Sequence, residues 1–271
     1  FNAEQIKKLI REAVGKNASL IAFPELSLTG YTCADLFHQE LLLSETIVKT
    51  LEIAKFAEKL PISIVLGIPL RWRNNLYNCA VVMNKGEICG IVPKSFIPNY
   101  KEFYEKRWFR SGKEIKNEEI TIDGKSVPLG TNLIFEHDDS FRFCVEICED
   151  LWNVVPPSSF HSIAGATVIV NLSASNEIVG KSEYRKELIR DQSSRCIAGY
   201  VYVSSGVWES TTDLVFGGHS IVSENGLIIS ENDRFSRKSE ILYSDIDCQR
   251  LLAIRASESS FTDNNFTRQD N

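Results

Sequence analysis

Three short apolar runs in this chain each end on a residue that can do chemistry. FCVEICEDLW at 143–152 drives a strand to its end, places Cys148 there, and follows it with Glu149 and Asp150. SLIAF at 19–23 stops at Pro24 and Glu25, and EICGIV at 87–92 stops at Pro93 and Lys94. A thiol at a strand end is held by rigid scaffold, and the turn beyond it offers backbone N–H groups to whatever the sulfur attacks. A free thiol titrates near ~8.5, so Cys148 needs help at neutral pH. A carboxylate such as Glu25 can take its proton, and an ammonium such as Lys94 can favour the thiolate and hold the oxyanion that forms at a carbonyl. Thiol, carboxylate and ammonium together suit acyl transfer. Each position alone also fits a plain role: Cys148 a small buried apolar side chain, Glu25 a solvated loop carboxylate, Lys94 a surface charge.

Composition narrows the class of protein. A chain of 271 residues with 43% hydrophobic content can bury a sizeable core as a soluble globular protein, read here as a single domain over 1–271. A net charge of −6 with no dense Lys/Arg cluster speaks against nucleic acid or an anionic membrane as partner. Seven cysteines without CxxC spacing read as reduced thiols. No apolar run approaches the ~20 residues that cross a bilayer and no signal peptide opens the sequence, so cytoplasm is the expected location. The four histidines show no HExxH or paired Cys/His spacing, so no metal is expected. GxSxG is absent, which argues against a serine nucleophile.

The elements that must position these residues follow from periodicity and turn signals. A first helix is capped by Asn2, buries Ile6, Leu9, Ile10, Ala13 and Val14, and ends at Gly15. An α/β fold usually has a strand before such a helix, so an opening strand is expected outside this sequence. The patterns predict a helix over 45–59, a strand over 62–68, and a hairpin of 77–83 with 87–92 about Asn84, Lys85 and Gly86. Residues 99–130 are charged and read as a surface excursion with a turn at 123–125. A second hairpin pairs 133–136 with 141–147, a short helix covers 158–164, and 167–172 is a buried strand. An amphipathic helix over 181–198 turns Tyr184, Leu188 and Ile189 inward, with Glu183, Arg185, Lys186, Glu187, Arg190 and Asp191 on its solvated face. Strands are expected over 200–204, 214–222, 227–230 and 240–246, and the polar stretch from Ser257 is expected to fray. Hairpins mixed with strand-helix-strand units predict one large mixed sheet, or two stacked sheets, covered by helices.

FPELSLTGYTCADLF, KSFIPNYKEFYEKRWF and VEICEDLW, in this order and spacing, resemble the three active-site segments of the nitrilase superfamily. VPPSSFHSIAGATVIVNLSASNEIVGK and SSRCIAGYVYVSSGVWESTTDLVFGGHSIV resemble, within it, the amino-terminal glutaminase domains of bacterial glutamine-dependent NAD+ synthetases. The likeness spans most of 2–250 and implies a four-layer α-β-β-α sandwich, assembled into homo-oligomers. By the same resemblance Glu25 is the general base, Lys94 the catalytic lysine, Cys148 the nucleophile and Glu105 the carboxylate that positions the lysine. Tyr100, Ser175 and Lys181 would contact glutamine, with Tyr31 near the pocket. Lys94 and the backbone N–H of Glu149 would hold the oxyanion. On physics alone Ser175 also fits a turn cap, Lys181 a first-turn helix charge and Tyr100 a packed loop residue.

The implied reaction is hydrolysis of L-glutamine through a Cys148 thioester, with ammonia passed to a carboxy-terminal synthetase domain that amidates deamido-NAD+. Neither an SGGxDS-type loop nor GxxxxGK occurs here, so ATP and Mg2+ are expected only in that partner domain and no cofactor in this one. Two other readings stay open: a free-standing amidase acting on another small amide or carbamoyl compound, and a non-catalytic docking domain.

Overall fold

Alternation along single strands sets the layers of this molecule, whose computed structural model describes residues 1–264. The first half contributes α1 (Asn2–Val14), β1 (Leu20–Ala22), α2 (Glu40–Phe56), β2 (Ser63–Trp72), β3 (Asn75–Asn84), β4 (Glu87–Pro93), β5 (Glu118–Ile122) and β6 (Lys125–Leu129). The second contributes β7 (Ile134–Glu136), β8 (Arg142–Ile147), α3 (Glu149–Trp152), α4 (Pro157–Ile163), β9 (Val168–Ser173), α5 (Lys181–Arg195), β10 (Gly199–Ser204), β11 (Ile221–Glu224), β12 (Leu227–Glu231), α6 (Cys248–Ser257) and α7 (Ser259–Thr262). Two six-stranded sheets result, ordered β1-β2-β3-β4-β6-β5 and β12-β11-β10-β9-β8-β7.

In β2, Ile64, Leu66 and Ile68 face outward onto Ile6 and Ile10 of α1 and Ile53 of α2. Val65, between them, faces inward and joins Ala80, Val82 and Val92 against Val145, Ile147, Val170 and Leu172 of the second sheet. On that sheet's outer side Cys144, Ile169, Tyr200 and Tyr202 pack with Leu151 of α3 and Ile189 of α5. A period of two thus gives each sheet two apolar faces, one sheathed by helices and one pressed on the other sheet. The arrangement is the expected α-β-β-α sandwich.

The chain reverses at each antiparallel pair, so β4 runs in the same sense as β1 and β2, while β8, β9 and β10 are mutually parallel. Glu25 follows β1, Lys94 follows β4 and Cys148 follows β8. All three therefore leave the carboxyl ends of their strands, where α/β sheets present their functional groups. The free side of β1 instead borders a cavity of about 1070 Å³ reaching β10 and residues 236–249, and none of these three side chains lines it.

Several expectations are corrected. Asn2 lies inside α1 and its amide donates to Leu28 O, leaving Phe1 as the cap position. α2 starts at Glu40, five residues before the expected 45. The charged excursion holds the β5–β6 hairpin, whose Ile122, Val127 and Leu129 reach the outer core of the first sheet. Of 214–222 only the end is strand: Leu214 and Phe216 instead pack with Leu26, Tyr31 and Ala174. Residues 240–246 form no strand, although Ile241 and Ile246 plug the two cores. α6 was not anticipated, though Asp247 caps it by accepting from Arg250 N–H. Where fraying was expected, Ser259–Thr262 is helical, and the remainder of that expectation from 265 onward lies outside the described residues. On α5, Arg185 is fully buried and Tyr184 is 53% exposed, so the solvated face is rotated from the one expected.

Candidate active site

The turn after β1 brings Glu25 onto the end of β4. Lys94 Nζ lies 2.7 Å from Glu25 Oε1 and 2.8 and 2.9 Å from the two oxygens of Glu105, and all three side chains are buried. Asn78 of β3 donates to Glu25 Oε1 at 2.6 Å, and the N–H of Ala174, just past β9, donates to Glu25 Oε2 at 2.8 Å. The hydroxyl of Tyr31 donates to Glu105 at 2.8 Å. Each buried charge therefore has partners on both sides, as burial demands.

Cys148 sits against this cluster. Its backbone, at φ +45° and ψ −97°, occupies a region that residues with a Cβ avoid, which lifts the sulfur at the junction of β8 and α3. Its N–H donates to Leu172 O at 2.9 Å and Asn171 Oδ1 at 3.1 Å, so that amide is already engaged within the second sheet. Burial pushes the thiol well above its usual pKa, Glu25 and Glu105 add to the rise, and Lys94 and the Ala174 N–H oppose it. Burial likewise works against the charge on Lys94, but Glu105 and Glu25 overcome it and hold the ammonium protonated. Burial first, and then the neighbouring carboxyl groups, favour the thiol over the thiolate at Cys148.

The rim carries the other expected residues. Tyr100, 49% exposed, directs its hydroxyl to both oxygens of Glu149 at 3.0 Å. Lys181 opens α5, bonds Asn176 Oδ1, and holds its ammonium 5.0 Å from the Trp152 ring and 5.6 Å from that of Phe103. Partial burial lowers its pKa, and its field reaches Cys148. Ser175 is placed differently. Its buried hydroxyl is 3.5 Å from Arg185 Nη2, within a network in which Arg185 also reaches Glu177, Asn176 O and His219.

Sequence reasoning missed the supports. Asn78 was hidden inside the apolar run of β3, where a buried amide is itself a signal. Gly67 interrupts β2 because any Cβ there would lie 2.2 Å from Leu26 N and 2.6 Å from Pro24 O; a glycine in a strand interior marks such close approach. All seven cysteines are unpaired, and among the described residues no group of three His, Cys, Asp or Glu side chains is placed to hold a metal ion.

Residues 2–256 match the carbon-nitrogen hydrolase family, and the chain belongs to it. It is 40% identical over 266 residues to the glutamine-dependent NAD(+) synthetase of Mycobacterium tuberculosis, a match that takes in 97% of this chain and 39% of that relative. Its structure resembles that of a glutamine-dependent NAD(+) synthetase from Cytophaga hutchinsonii, with a TM-score of 0.81 and 30% identity over 89% of this chain and 39% of that one. The carbon-nitrogen hydrolase of Helicobacter pylori shares the fold at a TM-score of 0.75 and 20% identity, with 97% of this chain and 89% of that one covered. The chain thus spans about 39% of the length of the first two relatives and nearly the whole of the third.

Proposed function

We propose that this chain hydrolyses the side-chain amide of L-glutamine and that the ammonia serves an ATP-dependent amidation of deamido-NAD+ to NAD+ elsewhere in the protein. The observation that carries the chemistry is Lys94 Nζ, 0% exposed, held between Glu25 and Glu105 beside Cys148. The likeness to two glutamine-dependent NAD(+) synthetases supports the choice of amide.

On this reading the Cys148 sulfur attacks the amide carbon while Glu25 takes its proton. Lys94 and the Glu149 N–H hold the oxyanion, a contribution of about 100- to 1,000-fold per donor. Glu25 returns the proton to nitrogen, the C–N bond breaks and ammonia leaves, with a glutamyl thioester on Cys148. A water then loses its proton to Glu25 and attacks the thioester, and that proton goes back to the sulfur as glutamate departs. Lys181 would bind the substrate carboxylate, with Tyr100, Ser175 and Tyr31 shaping the pocket. Lys94 supplies the positive charge, so the step calls on no metal or cofactor in this chain; ATP and Mg2+ belong to the synthetase partner domain.

The same reading places the protein in the cytoplasm as a homo-oligomer. Among the described residues no helix is long and apolar enough to cross a membrane.

The test is release of ammonia from glutamine by the parent protein and by Cys148→Ala. The parent should form a glutamyl adduct on Cys148 visible by mass spectrometry, and the variant should fall to background. Ammonia release at the parent rate from Cys148→Ala would falsify the mechanism. Faster turnover of another small amide than of glutamine would move the assignment to a free-standing amidase.

A further inference from the structure

The carboxylate of Asp150 joins the two sheets at the point where their catalytic residues emerge. Its Oδ1 accepts the N–H groups of Ser95 at 3.1 Å and Phe96 at 2.9 Å, the two residues directly after Lys94. Its Oδ2 accepts the N–H of Ile147 at 2.8 Å, directly before Cys148. The side chain is buried, so no water competes for these three bonds. β4 and β8 belong to different sheets, and one rigid group thus sets how far the lysine-bearing loop stands from the nucleophile turn. Three amides converging on one carboxylate is a built arrangement, since an unpaired buried carboxylate is costly.

We propose that Asp150 is a positioning residue that fixes the distance between Lys94 and Cys148 by stapling the ends of β4 and β8 together. It touches no reacting atom. Its removal should leave the substrate-binding rim in place and misplace Lys94 relative to the sulfur, and a displacement of ~1 Å commonly costs on the order of 100-fold in rate. Asparagine keeps the size but turns an N–H2 toward either Ile147 or the Ser95–Phe96 pair, so one side of the staple is lost.

The proposal rests on the glutaminase reading, and the experiment separates the two. The full-length protein and its Asp150→Asn variant are compared for glutamine KM, kcat and the rate at which chloroacetamide alkylates Cys148. We expect kcat to fall roughly 10- to 100-fold with KM within about threefold, a slower alkylation and a cooperative thermal transition. An unchanged kcat and alkylation rate in a folded variant overturn the staple, as does a rise in KM at constant kcat. A parent whose Cys148 alkylates but which leaves glutamine intact overturns the glutaminase reading instead. If the variant does not fold, amide hydrogen exchange in the parent decides: slow exchange at Ser95 and Phe96 is expected, and exchange at the rate of an open loop refutes the bond.

Discussion

Lys94 meets Glu105 through both carboxylate oxygens, at 2.8 and 2.9 Å, but takes a single oxygen of Glu25. The asymmetry divides the labour between two carboxylates that the net charge alone would make equivalent. Glu105, tied also to Tyr31, anchors the ammonium, whereas Glu25 keeps its second oxygen on the Ala174 N–H, the amide that also reaches the Cys148 sulfur. On the proposed mechanism Glu105 is then the anchor of the ammonium and Glu25 the base for the thiol proton.

Glu105→Gln should therefore separate two effects. Glu105 is one of the groups that raise the Cys148 pKa, so its removal should shift alkylation of that thiol to lower pH. The thiol becomes easier to ionise, yet kcat should fall by roughly 10- to 100-fold because Lys94 loses its two-point tether. Stopped-time alkylation across pH, alongside steady-state kinetics, reads both. A variant that loses activity with no change in the alkylation profile would contradict the electrostatic part.

Gly67→Ala should act on the site from behind. A Cβ at 67 meets backbone atoms of Pro24 and Leu26 on either side of Glu25, and backbone yields less readily than a side-chain tip. Overpacking of this kind costs about 1–3 kcal/mol. Urea denaturation should show that loss, and glutamine turnover should fall as Glu25 is displaced from Lys94. Retention of full activity would mean that the turn moves as a unit.

His161 should make stability fall in acid. Burial lowers its pKa from 6.5 to about 4, while its Nε2–H donates to Thr131 O. The unfolded chain takes up the proton as pH drops below 6.5 and the folded chain does not until about 4, so stability is complete above the first value and is lost across that window. The full span corresponds to about 3 kcal/mol. Gln at 161 keeps a donor for Thr131 O without titrating. Denaturation midpoints at pH 7 and pH 4.5 should converge for His161→Gln relative to the parent, and parallel losses would place the acid sensitivity elsewhere.

Much of this was legible because strand ends are punctuated. Pro24 and Pro93 terminate apolar runs directly before Glu25 and Lys94, and two sheets buried on both faces leave near-continuous apolar strands that are easy to find. The β5–β6 hairpin was less visible because Glu118, Glu119, Lys125 and Ser126 mask the alternation of Ile120, Ile122, Val127 and Leu129. Residues 240–246 carry strand-like composition but meet no sheet partner, since pairing depends on a neighbour and not on local sequence. Arg185 looked like one more charge on a polar helix face. Its burial is decided by Glu177 and His219, brought in from separate segments, and no spacing on α5 encodes that. The rim was harder than the centre for the same reason: Ser175 answers to Arg185, not to its own neighbours in the chain.

The backbone at position 148 has a further consequence. Holding a residue with a Cβ at φ +45° costs on the order of 1–3 kcal/mol, and glycine alone would adopt that angle without penalty. Glycine has no sulfur. If Cys148 is the nucleophile proposed above, the side chain that would most relax this turn and the side chain that reacts are different, and substitutions selected only for thermal robustness here would drift toward an inert protein.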